Sequence, residues 1–283
     1  MRKETLIKLF ETMFNKIKET ADFLIEKLKD FNHPKIGVIL GTGLGDFVNE
    51  LKIDIEINYE NIPNFPVSTV ESHKGKLLFG EINKKKVVVM QGRFHYYEGY
   101  SFDEIAFPVR VFKLLGIQNL MVSNAAGGLN SAFSRGDIMI ISDHINNFPG
   151  NPLIGKNIDQ IGNRFPDMYE TYCKKLIAKT ELVAENLGIK TQKGVYIGLP
   201  GPMLETSAEY KYLRIIGGDA VGMSTIPEII AAKHAKLSCF ACSVITDICY
   251  GEIQPVNFEN IIKTAKIAEP NLTLLFKELI NQL

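Results

Sequence analysis

Arg93 and His95 stand two positions apart in the segment MQGRFHYYEG (residues 90–99), directly after an apolar run. On extended backbone their side chains point to the same side, and Tyr97 continues that side. An arginine fork beside an imidazole suits a tetrahedral oxyanion such as phosphate. The alternative is a surface arginine beside a core histidine. His73, in a loop ahead of a strand, is a second candidate anion ligand or else a solvated loop histidine.

A glycine-rich turn follows another apolar run, in IGVILGTGLGD (residues 36–46). Glycines let the backbone approach an anion closely, a helix start behind them would direct amide N–H groups at it, and the Thr42 hydroxyl adds a donor. The segment matches neither a P-loop nor a full dinucleotide-binding motif, because Asp46 occupies the last glycine position. It is therefore either a local anion site or a tight turn between a strand and a helix.

Four further segments place small or polar residues at predicted strand ends. The segment SNAAGGL (residues 123–129) leaves room for a flat ligand, and Glu205 lies at a junction between a strand and a helix. Ser224 precedes a helix, and Asp247 ends the last apolar run. Each also has a plain structural interpretation as a turn, a cap or a charge near a helix start. Because open α/β sheets bind ligands at the carboxyl ends of their strands, we expect these residues to share a site.

Short apolar runs alternate with helical patterns along the chain; the runs are IGVIL, VVVM, LMVS, DIMIIS, GVYIG, DAVGM and LSCFACSVIT. This alternation predicts an α/β fold with a mostly parallel central mixed β-sheet flanked by helices. There is no internal repeat or linker, so residues 1–283 are predicted to form a single domain. Residues 1–30 are predicted to be an amphipathic N-terminal helical segment, and residues 146–167 a surface loop.

Capping boxes predict where three further helices begin. Ser101, Thr206 and Thr225 are each followed three residues later by glutamate and then by a helical pattern. Two more helix-length patterns occupy residues 168–187 and 258–283. These helices separate the predicted strands, as the α/β fold requires.

Composition narrows the class of protein. Thirty-two basic and thirty-two acidic side chains cancel, which argues against a nucleic-acid partner and against a polybasic membrane anchor. No run approaches the ~20 apolar residues of a membrane span, and the N-terminus does not resemble a signal peptide. The four cysteines lack disulfide spacing, and Cys239 and Cys242 lie in an apolar run without a second pair to complete a metal site. We therefore expect a soluble cytoplasmic protein without a metal.

Together these segments resemble the trimeric purine nucleoside phosphorylases. GTGLG, FPVSTVESHKGKL, MQGRFHYYEGY, NAAGGLN, GDIMIISDHIN, NRFPDM, GPMLET and DAVGMSTIPE match that family's segments in its order. The related methylthioadenosine phosphorylases share the fold, but the segment of residues 91–99 is more similar to the nucleoside enzymes. The resemblance implies a homotrimer that uses inorganic phosphate as co-substrate, needs no cofactor, and converts purine ribonucleosides and 2′-deoxyribonucleosides to free base and pentose 1-phosphate.

The resemblance also assigns roles to individual residues. It implies that the phosphate ligands are Thr42, His73, Arg93, His95, the Ala125 amide and Ser224. The ribose is held by Tyr97 and Met223, and by Phe165 lent across the interface to a neighbouring subunit. The purine is held by Glu205 and Asp247, in a pocket lined by Ala126, Leu204 and Val221. His95, Glu205 and Asp247 are the residues to which it gives catalytic roles.

Two positions depart from the family pattern and leave substrate preference open. Asp247 stands where many members have an asparagine bonding purine N7 and O6, and Phe258 falls near a histidine that reaches the ribose 5′-hydroxyl in mammalian members. An adenosine- or methylthioadenosine-preferring phosphorylase is therefore the alternative enzyme. A catalytically silent purine-binding sensor would be expected to lose its phosphate ligands, which are present in this chain. A dinucleotide dehydrogenase is disfavoured by the incomplete glycine motif.

Overall fold

The structure is a computed structural model that describes residues 2–29, 33–42, 45–67, 74–252 and 255–283. His73, one of the predicted phosphate ligands, lies outside these residues. The predicted N-terminal helix is confirmed as α1 (Arg2–Lys27). Its Ile17, Ala21 and Leu24 are buried, at the spacing of three and four that one helix face requires.

Nine strands run through the described residues and form one sheet in the order β2-β3-β4-β1-β5-β8-β7-β6-β9. The strands are β1 (Ile36–Leu40), β2 (Lys52–Asn58), β3 (Lys76–Ile82), β4 (Lys85–Gln91), β5 (Asn119–Gly128), β6 (Ile138–Asn146), β7 (Thr191–Gly198), β8 (Ala220–Gly222) and β9 (Ser238–Ile248). All five residues of β1 are buried. Such a continuous apolar strand is typical of a sheet covered on both faces.

The sheet is mixed, as predicted, with parallel strands at its centre. β1 pairs in parallel with β4 and β5, and β5 pairs in parallel with β9. β6 with β7 and β7 with β8 are also parallel, whereas the remaining described pairings are antiparallel. Because β5 pairs with both β8 and β9, the strands β5, β8, β7, β6 and β9 close into a circuit.

Helices fill the connections between strands. They are α2 (Phe102–Leu114), α3 (Lys174–Leu187), α4 (Ser207–Ile215), α5 (Ile226–His234) and α6 (Phe258–Asn281). The capping boxes predicted at Ser101 and Thr206 are confirmed: each hydroxyl accepts from the backbone N–H three residues on, and the glutamate there accepts from the cap's own N–H. No helix in the described part of the chain is long and apolar enough to cross a bilayer.

The structure differs from the sequence-based expectation in four elements. β2 and β3 were not predicted. In β3, Gly80 interrupts the apolar pattern. Glycine is needed at this position because a Cβ would lie 2.4 Å from the Lys52 carbonyl oxygen of β2. α3 begins at Lys174 rather than at residue 168, since Tyr172 forms a bridge to Cys239 in β9. β5 continues to Gly128, so its segment of small residues belongs to the strand rather than following it.

Candidate active site

The ends of several strands meet at one cavity. β1 leads into Thr42, and β4 leads into Arg93 and His95. β5 contributes residues 124–127 to the wall, and β9 contributes Asp247. The remaining lining residues are Tyr97, Leu204, Glu205, Tyr210, Val221, Gly222, Met223, Ser224, Thr246, Phe258 and Ile261. The parallel pairing of β4, β1, β5 and β9 explains this convergence, because it brings their carboxyl ends to the same edge.

Arg93 is buried and held from three sides. Its Nε donates to Glu228 Oε1 at 2.9 Å, and its Nη1 donates to the Ser123 carbonyl at 2.7 Å and to Ser224 Oγ at 3.3 Å. Its side chain is 1% exposed and that of Glu228 is 4% exposed. The carboxylate balances a guanidinium that cannot lose its proton, and the fixed fork gives a directed set of donors at the cavity wall.

The Arg93–Glu228 pair corrects the capping box predicted at Thr225. Thr225 precedes α5 with a φ of 69°, and its side chain makes no cap hydrogen bond. Its Oγ1 instead accepts from Asn124 Nδ2 at 2.8 Å and lies 3.2 Å from Ser224 Oγ. Glu228 therefore forms an ion pair with Arg93 and does not cap α5. The hydrogen bond from Asn124 links the turn before α5 to β5.

Gly41 is required by the close approach of two strands behind the cavity. Its backbone N–H donates to Ser123 Oγ at 3.1 Å. A Cβ at this position would lie 2.5 Å from the Ser123 carbonyl oxygen and 3.1 Å from Arg93 Nη1. Any side chain here would collide with the backbone of β5 and crowd the guanidinium. The first glycine of the predicted turn thus makes room for Arg93, and Thr42 beside it lines the cavity.

His95 is oriented by Glu98, three residues further along. One carboxylate oxygen lies 2.7 Å from His95 Nδ1 and accepts the His95 backbone N–H at 2.8 Å. The imidazole also stacks on the Tyr97 ring, with 4.7 Å between centroids. Burial, chiefly, raises the pKa of Tyr97 to about 12, so its hydroxyl stays neutral. Both rings line the cavity in a fixed orientation.

Two carboxyl groups and their hydroxyl partners form another part of the wall. Asp247 Oδ1 accepts from Thr246 Oγ1 at 2.9 Å. Burial raises the pKa of Glu205; the charge of Asp247 adds to the rise and the Tyr210 hydroxyl opposes it. Ala126, Leu204 and Val221, the predicted base-pocket residues, line the same cavity. This region therefore offers acceptors within a partly apolar enclosure.

Phe165 lies elsewhere. It is 87% exposed and lines a separate groove with Asn163, Pro166 and Lys233. The structure thus brings together Thr42, Arg93, His95, Tyr97, Ala125, Ala126, Leu204, Glu205, Val221, Met223, Ser224 and Asp247, but not Phe165.

Comparison with known proteins agrees with the resemblance seen in the sequence. Residues 35–281 match the family model described as the phosphorylase superfamily. Purine nucleoside phosphorylase 1 of Geobacillus stearothermophilus is 49% identical over 268 residues, covering 94% of this chain and 97% of the relative. The chain belongs to the purine nucleoside phosphorylase family. The Bos taurus purine nucleoside phosphorylase is 45% identical, with 90% of each chain covered.

Solved structures of purine nucleoside phosphorylases share the fold over nearly the whole chain. The Schistosoma enzyme in complex with hypoxanthine has a TM-score of 0.89 at 43% identity, covering 95% of this chain and 97% of its own. The Schistosoma mansoni enzyme in complex with adenosine has a TM-score of 0.88 at 42% identity. Both structures are therefore similar to this chain in sequence as well as in fold.

Several residues that line the cavity, or that contact its lining residues from behind, were not singled out as site residues from the sequence. Glu98 could have been found from its spacing to His95, whereas Glu228 was assigned to a helix cap. Tyr210 carried no signal beyond its element pattern. Phe258, the departure near the expected 5′-hydroxyl contact, lines the cavity mouth at the start of α6 and is 63% exposed.

Proposed function

We propose that the chain catalyses phosphorolysis of purine ribonucleosides and 2′-deoxyribonucleosides in this cavity. One observation carries the proposal. The Arg93 guanidinium donates to the carbonyl of Ser123 in β5, and Asp247 pairs with Gly127, which lies four residues beyond Ser123 in β5. At ~3.3 Å per residue, the two β5 positions beside which the cationic donor group and the carboxylate lie are roughly 13 Å apart. An anion, a sugar and a base fit in line across that span.

Phosphate binding is assigned to the cationic end. Arg93, His95, Thr42, Ser224 and the Ala125 amide are the proposed ligands, with His73 expected to join them. Support comes from the burial of Arg93 and from its hydrogen bonds to Glu228 and Ser224, which orient its donors. Charge-assisted hydrogen bonds from such donors are roughly twice as strong as neutral ones. Inorganic phosphate is thus the co-substrate, and no cofactor is required.

The reaction needs no protein nucleophile. Departure of a purine from ribose passes through an oxocarbenium-like state, as in glycoside hydrolysis. Bound phosphate attacks C1′ while its charge stabilises the developing cation, and the bond from C1′ to the purine breaks with its electron pair on the base. The proton that hydrogen phosphate loses on becoming the ester neutralises the departing base. The protein's task is to align phosphate and ribose and to exclude water. Tyr97 and Met223 are the proposed ribose contacts. The neutral, stacked ring of Tyr97 suits this role.

The leaving base is assigned to the carboxyl end of the cavity. An ionised Glu205 accepts the N1–H of hypoxanthine or guanine and the 2-amino group of guanine, whereas adenine presents an acceptor at N1. Two facing acceptors cost about 1–3 kcal/mol, which favours 6-oxopurines. Asp247 acts against this preference, since an ionised carboxylate accepts from the 6-amino group of adenine. We therefore expect inosine and guanosine to be the better substrates, with measurable adenosine cleavage.

The active assembly is proposed to be a homotrimer in the cytoplasm. Phe165 completes a neighbour's ribose site, and its 87% exposure in this single chain, outside the cavity, supports that role. A residue lent from one copy to the next requires a heterologous interface, which closes into a ring when the rotation permits. The four cysteines are all free thiols, as expected of a reducing compartment.

A phosphate-dependence assay tests the function. Purified chain is incubated with inosine, guanosine or adenosine, with and without inorganic phosphate, and base and pentose 1-phosphate are quantified. We expect cleavage only with phosphate, or with arsenate as its substitute. Release of base at the full rate in the absence of both would contradict the proposal.

A further inference from the structure

Both oxygens of the Asp247 carboxylate accept hydrogen bonds from side chains that are close to it in sequence. Thr246 Oγ1 donates to Oδ1 at 2.9 Å, and Cys249 Sγ donates to Oδ2 at 3.4 Å, an ordinary distance for a thiol donor. The two contacts fix the orientation of the carboxylate beside the cavity. Cys249 was not singled out by the sequence, and neither donor is used by the proposed mechanism.

The backbone makes room for the thiol–carboxylate contact. The register between β5 and β9 shifts at Gly127, which stands opposite Asp247. A Cβ on Gly127 would lie 2.7 Å from Cys249 Sγ and 3.1 Å from Asp247 Oδ2. The Cys249 backbone N–H donates to the Gly128 carbonyl at 2.8 Å and anchors the residue. A glycine at residue 127 is thus what allows the two side chains to meet.

The thiol keeps its hydrogen in this position. Cys249 is 1% exposed, and burial followed by the charge of Asp247 raises the pKa of its thiol well above the ordinary value. It is therefore a donor at neutral pH rather than a thiolate. The Tyr210 hydroxyl interacts with both Cys249 and Glu205, which links the thiol to the second carboxyl of the base region.

We propose that Cys249 is a specificity-determining positioning residue, whose thiol holds Asp247 as a hydrogen-bond acceptor toward the 6-position of the purine. The inference rests on the proposed function and extends it to base selection. An acceptor at this position serves the 6-amino group of adenine and opposes the O6 of hypoxanthine. Loss of the thiol therefore lowers the adenosine-to-inosine ratio of kcat/KM.

The experiment compares three variants with the unmodified chain. Cys249→Ala removes the donor, and Cys249→Ser replaces it with a stronger one. Cys242→Ala removes another buried thiol, which lies within β9 and does not line the cavity. Phosphorolysis of adenosine and inosine is measured for each at saturating phosphate, with thermal unfolding as a check on folding. We expect the ratio to fall about three- to tenfold in Cys249→Ala. We expect the adenosine-to-inosine ratio to stay at or above the original value in Cys249→Ser and to be unchanged in Cys242→Ala.

The outcomes separate this inference from the function on which it rests. An unchanged ratio in Cys249→Ala, or an equal fall in Cys249→Ser, would overturn the role of Cys249 and leave phosphorolysis standing. Cleavage of inosine but not adenosine by the unmodified chain would also overturn it, because Asp247 would then not act as an acceptor. Cleavage of neither nucleoside would overturn the proposed function and this inference together. If Cys249→Ala does not fold, the ratio in Cys249→Ser decides: a decrease refutes the inference and a maintained or raised ratio supports it.

Discussion

Replacement of Glu228 by glutamine tests whether the site is built around a buried ion pair. The 2.9 Å contact from Arg93 Nε joins two side chains that are 1% and 4% exposed, so Glu228→Gln leaves a buried guanidinium without its counter-charge. Breaking a buried pair by removing one partner typically costs about 3–5 kcal/mol. We expect the free energy of unfolding, measured with urea in phosphate-free buffer, to fall by about that amount. Glu185→Gln, on an exposed position of α3, is the matched control.

Phosphate should restore part of the stability lost in Glu228→Gln. If the anion binds Arg93, it supplies the missing negative charge to the variant, and ligand binding to the native state alone stabilises it further by mass action. The increase in unfolding free energy on adding phosphate is therefore expected to be larger in the variant than in the unmodified chain. A loss below about 1 kcal/mol, no different from Glu185→Gln, would refute the assignment of Arg93 and Glu228 as a tightly coupled pair.

The remaining predictions concern phosphate, base choice and assembly. Arg93→Ala is expected to lower kcat/KM for phosphate by at least a hundredfold, whereas alanine at the exposed Arg135 has little effect; similar kinetics for the two variants would be inconsistent with Arg93 as a phosphate ligand. Asp247→Asn is expected to lower the adenosine-to-inosine ratio of kcat/KM about tenfold, since the amide donates where the carboxylate accepts; an unchanged or higher ratio contradicts this. Sedimentation is expected to show a trimer, and Phe165→Ala to raise KM for the nucleoside; a fully active monomer would rule out a lent residue.

The sequence predicted which residues line the cavity better than it predicted the contacts that hold them in place. The polar residues at strand ends were recognisable because parallel strands bring their carboxyl ends to one edge, and Arg93, His95 and Asp247 do line one cavity. Glu228 was misassigned because a glutamate three residues after a threonine satisfies the capping pattern equally well. Only the fold places it beside Arg93, which is 135 residues away in sequence.

The edge strand β2 and the contact between Cys249 and Asp247 were also hard to predict, because a local sequence pattern determines neither of them. β2 alternates isoleucine with charged residues, yet Ile53 is 41% exposed, so burial contributes little to defining that strand. The thiol of Cys249 appeared in the sequence only as one of four unpaired cysteines. Its contact with Asp247 depends on the shift in register at Gly127, which a local pattern does not encode.

The closed circuit of β5, β8, β7, β6 and β9 has a consequence for how copies of the chain can associate. Among the described strands, only β2 lacks a neighbour along one whole side. β2 carries Asp54 and Glu56, which form ion pairs with Lys86 of β4 and Lys76 of β3, respectively. Charged side chains on an edge strand discourage another chain from adding to the sheet. Oligomers and aggregates that grow by β-augmentation are therefore disfavoured, and association is left to side-chain surfaces such as the exposed ring of Phe165.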